Sequence, residues 1–131
     1  MPVSTTLDAG DLDDPEVRQV EVGGRPLRVA WADTAATRSR GLMDVEELGD
    51  LDGMVFDLGG ERRTTFTMRN TLIPLDIYFF DSAGTMVGML EMVPCRETPC
   101  PSYGIESPAR YALEVPAGSL PVGDGAALVV P

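Results

Sequence analysis

The sequence contains no histidine and no lysine, and all ten of its cationic side chains are arginine. Without histidine there is no imidazole general base, no Ser-His-Asp triad and no His-containing zinc site. Without lysine there is no Schiff-base chemistry and no P-loop lysine, and a guanidinium that stays protonated near neutral pH is a poor acid or base. Any catalysis must therefore rest on Asp, Glu, Cys, Tyr, hydroxyl groups or a bound metal. Positive charge is scarce as well: 10 Arg face 21 Asp and Glu, for a net charge of −11. A nucleic-acid surface needs clustered cations to displace counterions, so nucleic acid is excluded as a partner, and anionic membranes are disfavoured. Long apolar runs are missing too. Pro, Gly or Asp interrupts every run well short of the ~20 residues that cross a bilayer, so no membrane span is expected.

No basic-then-apolar signal opens the chain. The expectation is a soluble protein, cytoplasmic if the start shown is native and extracytoplasmic if an export signal has been removed. With 131 residues and 44% hydrophobic content, the chain fits one domain with a real core. Residues 1–16 lack periodicity and carry Asp8, Asp11, Asp13, Asp14 and Glu16, which reads as a flexible acidic leader before a single β-rich domain over 17–131.

Within that domain the apolar period is mostly two. Val20 and Val22 lead through Gly23-Gly24 into Leu27, Val29 and Trp31, which predicts a hairpin. Asp33-Thr34 can cap a short helix ending at Gly41, and the capping-box spacing of Asp44 and Glu47, with Met43 and Leu48 as a staple, predicts one more helical turn over 45–48. Strands follow at Met54, Phe56 and Leu58; at Thr64, Phe66 and Met68; and at Ile73, Leu75, Ile77 and Phe79. Asp81-Ser82-Ala83-Gly84 turns the chain into a strand over 85–93, and a Pro-rich loop runs from Pro94 to Pro108. Tyr111, Leu113 and Val115 share a face before a terminal strand near 127–130. The fold class is mainly β: a small β-sandwich or partly open barrel with a short helical insertion after the first hairpin. Its expected core is Leu27, Val29, Trp31, Leu42, Met54, Phe56, Phe66, Ile73, Leu75, Ile77, Phe79, Leu113 and Val115.

Four blocks resemble the domain-of-unknown-function family 192, small single-domain proteins of bacteria and archaea. They are Arg40-Gly41-Leu42-Met43; Gly53-Met54-Val55-Phe56; Met68-Arg69-Asn70-Thr71-Leu72-Ile73-Pro74-Leu75-Asp76; and Pro94-Cys95 through Cys100-Pro101 to Ala109-Arg110-Tyr111. The third is the most specific, and the likeness runs from about Val20 to Val130. It implies a mainly β domain with a helical insertion after the first hairpin, and no established reaction. The chain departs from relatives in the Thr before Met68, in a shorter stretch after Pro116 and in lacking the export signal that many relatives show.

Asp76 is a lone carboxylate inside the most apolar stretch, and a buried carboxylate must be hydrogen-bonded, ion-paired or turned toward a ligand. The candidate polar site is Arg69, Asn70, Thr71, Asp76, Glu91, Tyr103 and Arg110. In the leading reading Asn70 bonds Asp76, Arg69 or Arg110 compensates its charge, and the Cys loop and Tyr103 form the rim of a shallow site for a small molecule or a protein partner, of carbohydrate or peptide class by fold analogy. One rival is a hydrolase or metal-assisted enzyme using Asp76 with Glu91 or Glu114. The other candidates are a purely structural Arg–carboxylate network and an interaction module that docks through a strand edge. Cys95 and Cys100, between prolines, are read as a disulfide in an oxidising compartment and as free thiols in a reducing one. Met86, Met89 and Met92 suggest soft-metal capture, but alternation on a strand would split them between two faces, so they read as core. No EF-hand spacing occurs and Gly59-Gly60 reads as a turn, so neither a metal nor a cofactor is expected.

Overall fold

Two left-handed glycines start the architecture. Gly23 (φ 59°) and Gly24 (φ 80°) close a two-residue turn between β1 (Val17–Val22) and β2 (Arg25–Ala32), which pair antiparallel in the expected hairpin. Thr34 then caps helix α1 (Ala35–Arg40): its hydroxyl accepts from the Thr37 backbone N–H, and the Thr37 side chain returns a bond to the Thr34 N–H. The chain re-enters the sheet as β3 (Gly53–Arg62), parallel to β2, so residues 33–52 form a crossover laid over one face. In the computed structural model, residues 7–123 and 125–131 are described.

The remaining strands are β4 (Phe66–Thr67), β5 (Leu75–Phe80), β6 (Met86–Met92), β7 (Ser102–Tyr103), β8 (Ala109–Pro116) and β9 (Leu128–Val129). Seven of them form one sheet in the order β6-β5-β8-β3-β2-β1-β9, while β4 and β7 pair separately. The large sheet curls into a half-barrel whose two ends meet where Thr85 bridges Ala127 and the Leu128 N–H donates to the Gly84 carbonyl at 2.8 Å. Of the two expected architectures, the partly open barrel is the one adopted, with a short helix after the first hairpin.

Both faces of the sheet are covered. Val20, Val29, Trp31, Val55, Tyr78, Phe80 and Leu113 pack in one cluster on one face, and Met54, Phe56, Ile77, Phe79 and Met92 pack on the other face with residues 42–51 and Met68. All six residues of β5 are buried as a result. The expected core is found buried, except that Phe66 and Ile73 are only half-buried against the second cluster.

Three local expectations need correction. Residues 45–48 make no helical turn: Asp44 takes a left-handed φ of 63°, and the Glu46 and Glu47 N–H groups are satisfied from outside by one Asp11 carboxylate oxygen, at 2.9 Å each. The strand expected over 64–68 shrinks to Phe66–Thr67 because Met68 already enters the turn to Thr71. A bulge in β6 opposite Phe79 and Phe80 also breaks the simple alternation there, so Met86 packs on the first cluster and Met92 lies in the second, with Met89 exposed.

The acidic leader falls partly outside the described residues, over 1–6. Within 7–16, Leu7, Ala9 and Leu12 pack on the core, and Gly10 and Gly49 let two backbones touch: a Cβ at Gly10 would strike the Glu47 carbonyl and one at Gly49 the Asp8 carbonyl. Cys95 and Cys100 are bonded as a disulfide, S–S 2.12 Å.

Gly53 illustrates how tightly the central strands meet. A Cβ there would collide with the Glu114 carbonyl of β8 and lie 2.8 Å from a Val115 methyl. Gly53→Ala should therefore lower stability by roughly 1–3 kcal/mol through overpacking, whereas Gly60→Ala, which points into open space, should change it by less than ~0.5 kcal/mol. Urea midpoints of the two variants check the contrast, and equal midpoints would contradict it.

Candidate functional site

The most apolar strands hold two buried carboxyl groups, and the sheet sends them to opposite faces. Asp76 of β5 stands across from Val115 of β8, whereas Glu114 of β8 stands across from Ile77 of β5 and Met54 of β3. Directly opposed residues share a face. Asp76 therefore points to the side of Tyr78 and Phe80, and Glu114 to the side of Met54 and Ile77. No geometry of this sheet lets the two act on one substrate atom.

Asp76 is committed. Its Oδ2 accepts the Gly118 backbone N–H at 2.9 Å, which ties β5 to the turn after β8. The expected Asn70–Asp76 hydrogen bond is not made. Asn70 is exposed in a turn on the other side, where the Thr71 N–H donates to the Met68 carbonyl at 3.0 Å. Its contribution is conformational: with φ 56° it occupies the left-handed position of that turn, a region Asn tolerates better than most residues, and its carbonyl accepts from the Asp44 N–H at 2.8 Å. Nor does Arg110 serve Asp76, because its Nε donates to Asp57 Oδ1 at 3.2 Å. Glu91 lies cross-strand from Asp76 but is exposed on β6. Tyr103 pairs with Phe66 in the small sheet, packs on the core, and accepts the Val93 N–H on its hydroxyl at 3.4 Å. Tyr78 donates its hydroxyl to the Leu120 carbonyl at 3.0 Å; burial pushes its pKa up, and neighbouring Asp76 adds to the rise.

Glu114 is the uncommitted one. It is 4% exposed, and among the described residues nothing hydrogen-bonds its carboxyl, yet no sealed, unpartnered polar side-chain atom occurs there either. The carboxyl opens instead on a cleft of about 550 Å³. The cleft lies between the end of α1 and the segment from Arg62 to Thr71, with walls of Leu42, Phe56, Leu58 and Phe66 and a rim including Arg38, Arg40, Arg62 and Arg69. Thr71, buried, lines it as well. Burial pushes the Glu114 pKa up to about 8, so near neutral pH it is mainly a neutral acid able to donate as well as accept a hydrogen bond.

Three local devices shape the cleft. In β3, the six residues from Asp57 to Arg62 lie against only three of β8, from Tyr111 to Ala109, and this bulge swings Arg62 and the following threonines over the sheet. The Arg38 guanidinium pins α1 to the same place, donating to the Asp33 carbonyl at 2.8 Å and the Asp57 carbonyl at 3.1 Å. The Met68–Thr71 turn is held on both flanks, by the Asp44 N–H on Asn70 and by the Cys95 N–H on the Met68 carbonyl at 3.2 Å. Among the described residues no group of three or more His, Cys, Asp or Glu side chains is placed to hold a metal.

Of the residues singled out from sequence, Arg69 and Thr71 thus reach the cleft, while Asn70 supports it from the turn. Asp76, Glu91, Tyr103 and Arg110 do not line it. Glu114 carried the same signal as Asp76, a carboxylate between apolar neighbours.

The family DUF192, described as Uncharacterized ACR, matches residues 18–124 of the chain. A protein from Sinorhizobium meliloti 1021, provisionally described as a transcription regulator, has a crystal structure that matches with a TM-score of 0.79 at 31% identity, over 89% of this chain and 95% of its own. A protein of unknown function from Novosphingobium aromaticivorans DSM 12444 matches with a TM-score of 0.75 at 30% identity, over 96% of this chain and 99% of its own. No curated protein gives a match.

Two measurements follow from the carboxyl groups. Glu114 binds its proton more tightly folded than unfolded, so its contribution to stability is fully present below about pH 4.5 and is lost as pH rises toward about 8, at up to about 1.4 kcal/mol per pH unit. Glu114→Gln should remove that slope and be relatively more stable at pH 8 than at pH 5; parallel slopes for the two proteins would refute the assignment. Asp76→Ala should cost about 1–3 kcal/mol in the denaturant midpoint, because the Gly118 N–H loses a charged acceptor.

Proposed function

The chain belongs to the DUF192 family, an uncharacterised family of small domains, and on that premise we propose that it is a non-enzymatic module that binds a small molecule in the Glu114 cleft. One observation carries the proposal: a buried carboxyl with no hydrogen-bond partner among the described residues faces an open cleft. Leaving a polar group so placed without a partner costs on the order of 1–3 kcal/mol, a cost that a ligand offering a hydrogen bond would offset. Apolar walls with few convergent polar groups are the usual make-up of a small-molecule site.

The enzymatic alternative has less support. Among the described residues Glu114 is the one acid lining the cleft, and its proposed partner Asp76 lies across the sheet. Acid–base work by paired carboxyls needs the two to flank one substrate bond in a shared open site, roughly 5–10 Å apart. The pairing of Asp76 with Glu91 has a shared face, but one member is already bonded to Gly118 and the other is exposed. The description of the Sinorhizobium relative as a transcription regulator does not favour direct nucleic-acid contact here, given a net charge of −11.

The test is a fragment screen by two-dimensional NMR on wild type and Glu114→Ala. Ligands should move the amide signals of Phe56, Phe66 and Thr71, and Glu114→Ala should lose at least about tenfold in affinity, the equivalent of one buried hydrogen bond. Hits that cluster elsewhere, or that bind both proteins equally, would refute the reading.

A further inference from the structure

The charge of the cleft runs against the charge of the protein. Acids outnumber arginines by 21 to 10 over the chain, yet the cleft is lined by four arginines and one acid. A neighbouring cleft of about 390 Å³ across the α1 terminus holds the opposite set, Asp13, Asp14, Glu16 and Asp33, with Arg40 and Gly41 as the ridge between them.

The four arginines are not equivalent. Arg38 spends its guanidinium on two backbone carbonyls, and Arg40 is shared with the acidic side. Arg62 and Arg69 are exposed at the mouth, and neither is among the ion pairs of the described residues, which join Arg18 to Glu16 and Arg110 to Asp57. The floor differs from this mouth in exposure: Glu114 is buried among apolar walls and bonded to no cation among the described residues, whereas Arg62 and Arg69 face water. The site therefore offers fixed positive charge outside, apolar walls between, and an uncharged hydrogen-bonding group inside.

We infer that the cleft takes an amphipathic organic carboxylate, its anionic end at Arg62 and Arg69, its apolar body along Phe56 and Phe66, and an uncharged hydroxyl or carbonyl group at Glu114. The inference rests on the small-molecule reading above and adds the charge and polarity of the ligand. A permanent guanidinium pair selects for an anion at the mouth, while a second carboxylate at the floor would meet an acidic group in an apolar wall and be rejected.

The probes are ω-hydroxy alkanoic acids of graded chain length, their primary amides and the corresponding ω-hydroxy amines, titrated into the folded protein near pH 7 by NMR. Acids of matching length should shift the Phe56, Phe66 and Thr71 amides most, amides less and amines not at all, and added salt should weaken the acids alone. The double variant Arg62→Gln/Arg69→Gln, altered only at exposed positions, should weaken acid binding about fivefold and leave amide binding unchanged. Amides that bind as tightly as acids, or acids indifferent to the double variant, would overturn the anion inference while leaving a small-molecule site in place. Silence from all three series at the cleft would remove the small-molecule site itself.

Discussion

A sheet packed on both faces has no solvent side on which to leave a polar residue, and this constraint governs the protein's chemistry. Once residues 33–52 cross over one face of the half-barrel, every side chain of β5 and four consecutive residues of β8 are enclosed. A carboxyl group in such a strand must find a partner inside or an opening. Asp76 finds the Gly118 N–H. Glu114 finds the cleft. The difference arises from covering material: Asp76 lies near a backbone turn with a free donor, whereas Glu114 lies under side chains that are mostly apolar.

The walls of the cleft depend on backbone devices more than on side-chain bonds. Asp44 and Asn70 both sit in the left-handed region, and one hydrogen bond joins them. That bond links the crossover to the 68–71 turn, and the Cys95 N–H holds the same turn from the opposite side. The disulfide restrains the loop that supplies Cys95, so the Cys95–Cys100 bond contributes to the cleft at one remove and not by lining it. The Asp11 carboxylate acts similarly on residues 46 and 47. Its two backbone bonds hold its pKa below the ordinary carboxylate value, which keeps it charged where it caps that loop.

Much of the fold was legible because period-two patterns and Gly-marked turns are local signals. The hairpin over Val17–Ala32, the helix ending at Gly41 and the alternation at Met54, Phe56 and Leu58 all appear where such signals place them. The helical turn expected over 45–48 failed because its N–H groups are claimed by Asp11, over thirty residues away, and no local pattern records a long-range competitor. The candidate site was half legible for the same reason. Polar residues in apolar strands stand out in sequence, but the face they take is decided by strand order. With Asp76 paired to Val115 and Glu114 to Ile77 across β5 and β8, the two carboxyls take opposite faces, and Asn70, close to Asp76 in sequence, is held instead by the Asp44 N–H of the crossover.

The contact between Thr85 and Ala127 has a further consequence for how the molecule comes into being. It joins the two borders of the sheet, and the strand beside it, β9, pairs with β1 from the other end of the domain. During folding, a chain in which residues 17–116 have paired already holds six of the seven strands of the large sheet, but its outer border stays unsealed until Leu128 docks on β1. Contacts of such sequence separation form slowly because loop closure precedes their reward. A chain folding in that order thus passes through an interval with β1 unpaired on one side, in which a chaperone has a hydrogen-bonding edge to shield and a second partly folded copy has one to capture.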